Sequence, residues 1–254
     1  MNSMDLMVHF GLGDQILCNA MIRNYCKIYD NLNLFVAKHN EKSVKFMFRD
    51  VKNLNYIIWS HDRSVSFDGF FTKESSDFFE WYTNNIEAGL DGLLNMPFHP
   101  FPGAYDFNRR IILITNTRYP FDVSFYENAQ LDFEKKWSDF YLERDLEKEK
   151  ELYYNVLDLK DDEEFIFVHD DHSRGHHITK LDNNLKIIRP DNKDYLVFDY
   201  LYVMEKAKEV HVMNSSIMCL IDTMQLRQDN LFYHRYVRGS GADISTKLNW
   251  KIIN

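Results

Sequence analysis

Three short stretches hold residue types that chemistry would need. The first is Gly11-Leu12-Gly13-Asp14, set between the apolar run Leu6-Met7-Val8-His9-Phe10 and a helical pattern of Ile16, Leu17, Ala20, Met21, Tyr25 and Ile28. Glycines at a strand-to-helix turn let the backbone turn tightly and let a ligand approach main-chain N–H groups, where the helix dipole favours an anion. The pattern is not the dinucleotide fingerprint, because Ile16 stands where GxGxxG needs its third glycine, and no Walker A loop is present. Asp14, at the helix start, has the position of a general base that deprotonates a hydroxyl. The plainer reading is an N-cap worth about 1 kcal/mol.

The second stretch is Asn214-Ser215-Ser216, which ends the strand pattern Val210-His211-Val212 and opens an apolar helix through Ile217, Met218 and Leu220. Such residues cap a helix, and the N–H groups behind them can hold a phosphate. The third stretch is His169-Asp170-Asp171-His172-Ser173-Arg174-Gly175-His176-His177, directly after a buried-strand pattern. Its histidines and aspartates are of the types that ligate zinc or iron. Adjacent residues of one loop rarely converge on one ion, however, and no second ligand cluster accompanies them, so no metal is expected. A solvated loop is the plain alternative. The expectation is phosphate contact by Ser173 and Arg174, since Arg pairs bidentately with phosphate. Arg109, Arg110 and Arg118 read as surface charge or as a guide for an anionic acceptor. There is neither a Gly-x-Ser-x-Gly elbow nor a Cys/His pair suited to nucleophilic catalysis.

Short strands and helices must position these stretches. Strands are expected at Leu6–Phe10, Leu32–Ala37, Tyr56–Trp59, Ile111–Thr115, Glu164–Val168, Leu185–Ile188, Glu209–Val212 and Leu231–Val237. Helices are expected from Ile16 to Ile28 and over Ser43–Phe48, Phe78–Leu94, Tyr200–Ala207 and Ser216–Met224. Residues Phe133–Leu157 read as one long helix or two short ones, with Glu143–Glu151 as a solvated charged face. Strand–helix alternation predicts α/β units with parallel sheets and right-handed crossovers. Prolines 97, 100 and 102 mark a loop, and the tail around Trp250 is expected to pack back on the body.

The 254 residues suffice for one large domain or two small ones, and 20 Phe and 15 Tyr imply a well-filled core. A net charge of −9 argues against a nucleic-acid partner but permits one compact anion site. No apolar run reaches the roughly 18 to 20 residues of a membrane span. The first ten residues lack the pattern of a secretory signal, and the three cysteines are odd in number and form no CxxC. A cytoplasmic, reducing compartment is expected.

The second stretch, with the helix Met204-Glu205-Lys206-Ala207 before its strand, resembles the C-terminal half of bacterial lipopolysaccharide heptosyltransferases. Gly11-Leu12-Gly13-Asp14, followed by Ala20 and Arg23, resembles the opening Gly-x-Gly-Asp motif of that family. Asn214, Ser216, Ile217 and Cys219 depart from the family's Asp, Gly, Pro and His, and the middle of the chain carries no resemblance.

The resemblance implies a GT-B-like fold, α/β with two Rossmann-like domains facing across a cleft. Residues 1–115 would form the acceptor-side domain, 116–159 a helical connector, and 160–254 the nucleotide-sugar-binding domain with its tail. It also implies metal-independent transfer of a sugar from a nucleotide-diphosphate sugar to a glycan or other hydroxyl acceptor, with no separate cofactor. Asp14 would be the base. Ser173, Arg174, Asn214, Ser215 and Ser216 would bind the donor, and Gly11, Leu12 and Gly13 would line the acceptor side or a phosphate. A non-catalytic nucleotide- or glycan-binding protein, a nucleotide-sugar epimerase and an S-adenosylmethionine-dependent methyltransferase remain as alternatives. The last would place an acid at the end of the second strand, where Ala37-Lys38-His39 stands.

Overall fold

The computed structural model describes residues 3–9, 11–59, 93–94, 111–114, 120–171, 175–181, 184–237 and 243–254. Two five-stranded sheets organise them. The first comprises β1 (Ser3–Met7), β2 (Asn31–Ala37), β3 (Leu54–Trp59), β4 (Leu93–Leu94) and β5 (Ile111–Leu113), in the order β3-β2-β1-β5-β4. Its pairings are parallel except that of β4 with β5. The second comprises β6 (Phe165–His169), β7 (Lys186–Ile188), β8 (Glu209–Val212), β9 (Leu231–His234) and β10 (Lys251–Ile253). Its order is β10-β9-β8-β6-β7 and every pairing is parallel. Phe165, Ile166, Phe167 and Val168 are all buried, the mark of a parallel strand covered on both faces.

The helices are α1 (Leu12–Leu17), α2 (Asn19–Ile28), α3 (Glu41–Met47), α4 (Phe121–Asn128), α5 (Lys135–Ser138), α6 (Leu146–Glu151), α7 (Leu201–Lys206) and α8 (Ser216–Met224). α6 widens into a π-helical turn at Leu152–Val156. No helix among the described residues is long and apolar enough to cross a membrane.

Several elements depart from the sequence expectations. The expected helix from Ile16 to Ile28 is two, broken where Cys18 takes φ −85° and ψ 1°. The helix expected over Phe78–Leu94 lies outside the described residues except for Leu93–Leu94, which form a strand. α4 was hidden by its weak amphipathicity, since Asp122 and Ser124 are buried beside Phe125 and Tyr126. The strand expected to reach Val237 stops at His234 and turns into a 3-10 helix, and the tail adds β10 along β9.

Glu143–Glu151 is not simply solvated. Glu149 is 1% exposed, because the Arg144 guanidinium forks between it and Glu205, at 2.9 Å and 2.6 Å.

A single apolar cluster includes Leu6 and Leu34 of the first sheet together with Phe165 and Val210 of the second. On helices α4, α5 and α8, Asp122, Lys136 and Asp222 are fully buried. The Lys136 ammonium donates to Asp122 (2.8 Å) and to the Ser245 carbonyl (2.6 Å), and lies 3.8 Å from Asp222. Asp222 also accepts from Trp137 Nε1 and from the Lys247 and Leu248 amides. α4, α5, α8 and the tail thus share one satisfied polar centre.

Candidate functional site

β1 feeds α1 through Val8–Gly11, and β8 feeds α8 through Met213–Ser215. The two helix starts touch. A β-carbon added at Gly13 would lie 3.3 Å from Cys219 Sγ and 3.4 Å from the Ser216 α-carbon. His169, the last residue of β6, reaches the same place, with Nδ1 2.9 Å from Ser215 Oγ. The carboxyl ends of β1, β6 and β8 therefore meet at one junction, the end of an α/β sheet where ligands bind.

Neither glycine serves a left-handed turn. Gly11 has φ −64° and ψ 142°, and Gly175 is the one glycine of positive φ among the described residues. What glycine supplies is room. At Gly13 the space is taken by the Ser216–Cys219 turn instead of a ligand. At Gly11 it is taken by the Asp14 carboxylate, whose Oδ2 lies 2.6 Å from where a β-carbon would stand. Gly11 is the N-cap of α1 and Asp14 sits in the first turn, so the N-cap reading of Asp14 gives way to a carboxylate folded back over the helix start. The dipole favours it there too.

Gly11 is exposed, and Leu12, Gly13, Asp14 and Ser216 are partly exposed, whereas Asn214 and Ser215 are each 9% exposed. Ser215 is the N-cap of α8 and its hydroxyl accepts from the Met218 amide. Burial lowers the His169 pKa to about 4, against the raising pull of Asp170 and Asp171, so the ring is neutral near pH 7. Burial also lowers that of His9, while Asp14 raises it. His9 packs against Phe125 at 4.9 Å between ring centroids, and its carbonyl accepts from Gln15 Nε2.

Burial pushes the Cys219 thiol far above its ordinary range, Lys136 opposing and Asp14, Asp122 and Asp222 adding to the rise. That thiol is no nucleophile.

Ser173 and Arg174 lie outside the described residues, as do Arg109, Arg110 and Arg118. Asp171 and His176, either side of Ser173 and Arg174 in sequence, exchange two backbone hydrogen bonds of 2.9 Å. Asp170 faces Arg189 at 3.5 Å. Among the described residues no group of three or more His, Cys, Asp or Glu is arranged to hold a metal. A surface groove of about 540 Å³, lined by Arg23, Asp50, Asn53 and Tyr141 among others, shares no residue with the junction. Sequence reasoning named Asp14 and Asn214–Ser216 but missed His9 and the pairing of His169 with Ser215. The signal was the buried apolar run that each of those histidines follows, Leu6–Val8 and Phe165–Val168.

In fold, the chain is similar to a glycosyl transferase family 9 protein from Veillonella parvula. The TM-score is 0.50 at 9% identity, over 99% of this chain and 85% of that one. At such identity the likeness shows the fold: an α/β body with parallel sheets. No protein-family model matches the sequence. A search of curated proteins likewise returned no match.

Proposed function

We propose that the chain is a glycosyltransferase that moves a sugar from a nucleoside-diphosphate donor to a hydroxyl acceptor. What carries the reading is the contact of the two strand-end helix starts, Gly13 against Ser216, with Asp14 on one side and the His169–Ser215 pair on the other. The fold likeness to a glycosyl transferase and the sequence resemblance to heptosyltransferases support the same class of reaction.

In this reading residues 1–115 present the acceptor and 160–254 hold the donor, joined by the 116–159 connector. The acceptor hydroxyl lies beside Gly11–Gly13 and gives its proton to the Asp14 carboxylate as its oxygen bonds to the anomeric carbon. The bond from that carbon to the donor's phosphate oxygen breaks, and the nucleoside diphosphate leaves with the electron pair. Its growing charge is met by Arg174, by Ser173 and by the Asn214–Ser216 start of α8, where first-turn N–H groups and the dipole favour an anion. These fixed charges and dipoles do the work without a metal.

A panel of nucleotide sugars, assayed for release of nucleoside diphosphate with and without glycan acceptors, tests the reading. Asp14→Asn is expected to lower turnover by roughly 100-fold or more while nucleoside-diphosphate binding persists. Full turnover in both Asp14→Asn and Arg174→Ala would refute the assignment of the site.

A further inference from the structure

The His169 ring is held in one tautomer by its neighbour. Ser215 Oγ accepts from the Met218 amide as the N-cap of α8, which leaves the hydroxyl one proton to give. The acceptor within reach is His169 Nδ1 at 2.9 Å. A neutral imidazole has one proton, so with Nδ1 accepting, that proton sits on Nε2. The opposite tautomer would make the hydroxyl accept twice and leave its own proton without an acceptor among the described residues.

Nε2–H has no partner among the described residues, and the half-buried ring is not sealed into the interior. The strand end thus carries an oriented, unspent donor. It stands beside the first turn of the nine-residue helix α8, whose leading N–H groups the helix itself leaves unpaired. The ring stands on β6, which is paired on both sides, by β7 and β8, so its backbone is fixed by hydrogen bonds along the strand.

We infer that His169 Nε2–H donates a hydrogen bond to a phosphate oxygen of the donor, with Ser215 as the positioning residue that sets the ring's tautomer. The inference rests on the nucleoside-diphosphate donor proposed above and adds to it a contact residue. A neutral donor suits this place. Asp170 and Asp171 stand next in sequence, and Asp14 lies across the junction, so a phosphate here needs hydrogen bonds without demanding that the half-buried ring be charged.

The two nitrogens can be separated by substitution. The side-chain amide oxygen of Asn can accept from Ser215 where Nδ1 does, and the amide nitrogen of Gln stands in for the donating Nε2. His169→Asn preserves a partner for Ser215 and removes the outward donor; His169→Gln does the reverse. Isothermal titration with ADP, UDP, GDP and inorganic pyrophosphate on the full chain reads the difference, with melting temperatures recorded beside it.

The wild type is expected to bind at least one of these. His169→Asn is expected to bind it roughly tenfold or more weakly, as for loss of one hydrogen bond to a charged group, and His169→Gln to stay near wild type. Ser215→Ala, which frees the tautomer, is expected to fall between them.

Asn binding as the wild type does, or Gln weaker than Asn, overturns the inference and leaves His169 as a partner of Ser215 alone. A wild type that binds none of the four probes overturns the donor reading itself, and the inference with it.

Discussion

Replacing Gly13 tests whether the two helix starts meet. A β-carbon there would stand 3.3 Å from Cys219 Sγ, inside ordinary van der Waals contact, and 3.4 Å from the Ser216 α-carbon, at its near edge. Gly13→Ala therefore meets two opposed effects. Alanine gains about 0.5–1 kcal/mol of helix preference over glycine, and the crowded contact takes back a similar amount, so a net change near zero is expected. Gly13→Val adds two methyl groups against the same turn. The neighbours there cannot retreat freely, since Cys219 is 3% exposed and Ser215 O accepts from the Cys219 amide at 3.0 Å. Overpacking of this kind costs about 1–3 kcal/mol. At roughly 2–4 °C per kcal/mol for a chain of this size, the valine variant should melt about 2–12 °C below wild type by calorimetry. It should also lose nucleoside-diphosphate binding, because α8 is pushed off. A valine variant that melts with the wild type would mean that Gly13 does not pack on α8, and the argument for a shared site would go with it.

Two further perturbations probe the frame around the site. Lys136→Met leaves Asp122 and Asp222 buried without their cation, which should cost about 3–5 kcal/mol, read as a fall in the urea midpoint; adding Asp122→Asn should restore part of it, and a single variant as stable as wild type would show that the buried cluster contributes nothing. Stability should also fall with acid. His211 donates from Nε2 to Glu209 (3.1 Å) and accepts at Nδ1 from His234 Nε2 (2.9 Å), leaving His234 Nδ1 buried without a partner. Burial first, then His211 and Lys180, lower the His234 pKa from 6.5 to about 4. A depressed histidine keeps its full contribution above its unfolded value and loses it as the pH falls from there to the folded one. About 2 kcal/mol should therefore be lost between pH 8 and pH 5, and His234→Gln should flatten that slope in urea titrations; parallel slopes would refute the assignment.

How much of this was legible depended on whether a residue's partner is near it in sequence. Phe165–Val168 announces a buried parallel strand because the whole run is apolar, Leu32–Ala37 does so with Asn33 its one polar residue, and Ser215 announces a cap because its acceptor role is local. Asp14 was legible as a carboxylate at a helix start, although the structure makes Gly11 the N-cap and puts Asp14 in the first turn. Long-range partners were not. Nothing near Glu149 says that Arg144 will bury it against Glu205, sixty-one residues from that arginine, and nothing near Gly13 says that the space it leaves will be filled by Ser216. The connector helices were obscured because α4 buries Asp122 and Ser124 on the face that periodicity assigns to apolar side chains.

The buried charges do more than anchor the tail. Ion pairs taken out of water are weak sources of stability, and apolar residues of similar size often serve better. Orientation is a different matter. α8 begins at Ser216, against Gly13, and Asp222, its seventh residue, accepts from Trp137 of α5 and from the Lys247 and Leu248 amides of the tail. The helix whose start would hold the donor is thus gripped at both ends, by close packing at one and by directional hydrogen bonds at the other. An apolar contact at Asp222 would tolerate rotation of α8 about its own axis; four oriented polar partners, the ammonium of Lys136 included, do not. Since the first-turn N–H groups and the Ser215 hydroxyl point where the axis and rotation of α8 send them, the Lys136 cluster sets the aim of the site from a distance, and the Gly13 contact sets its position.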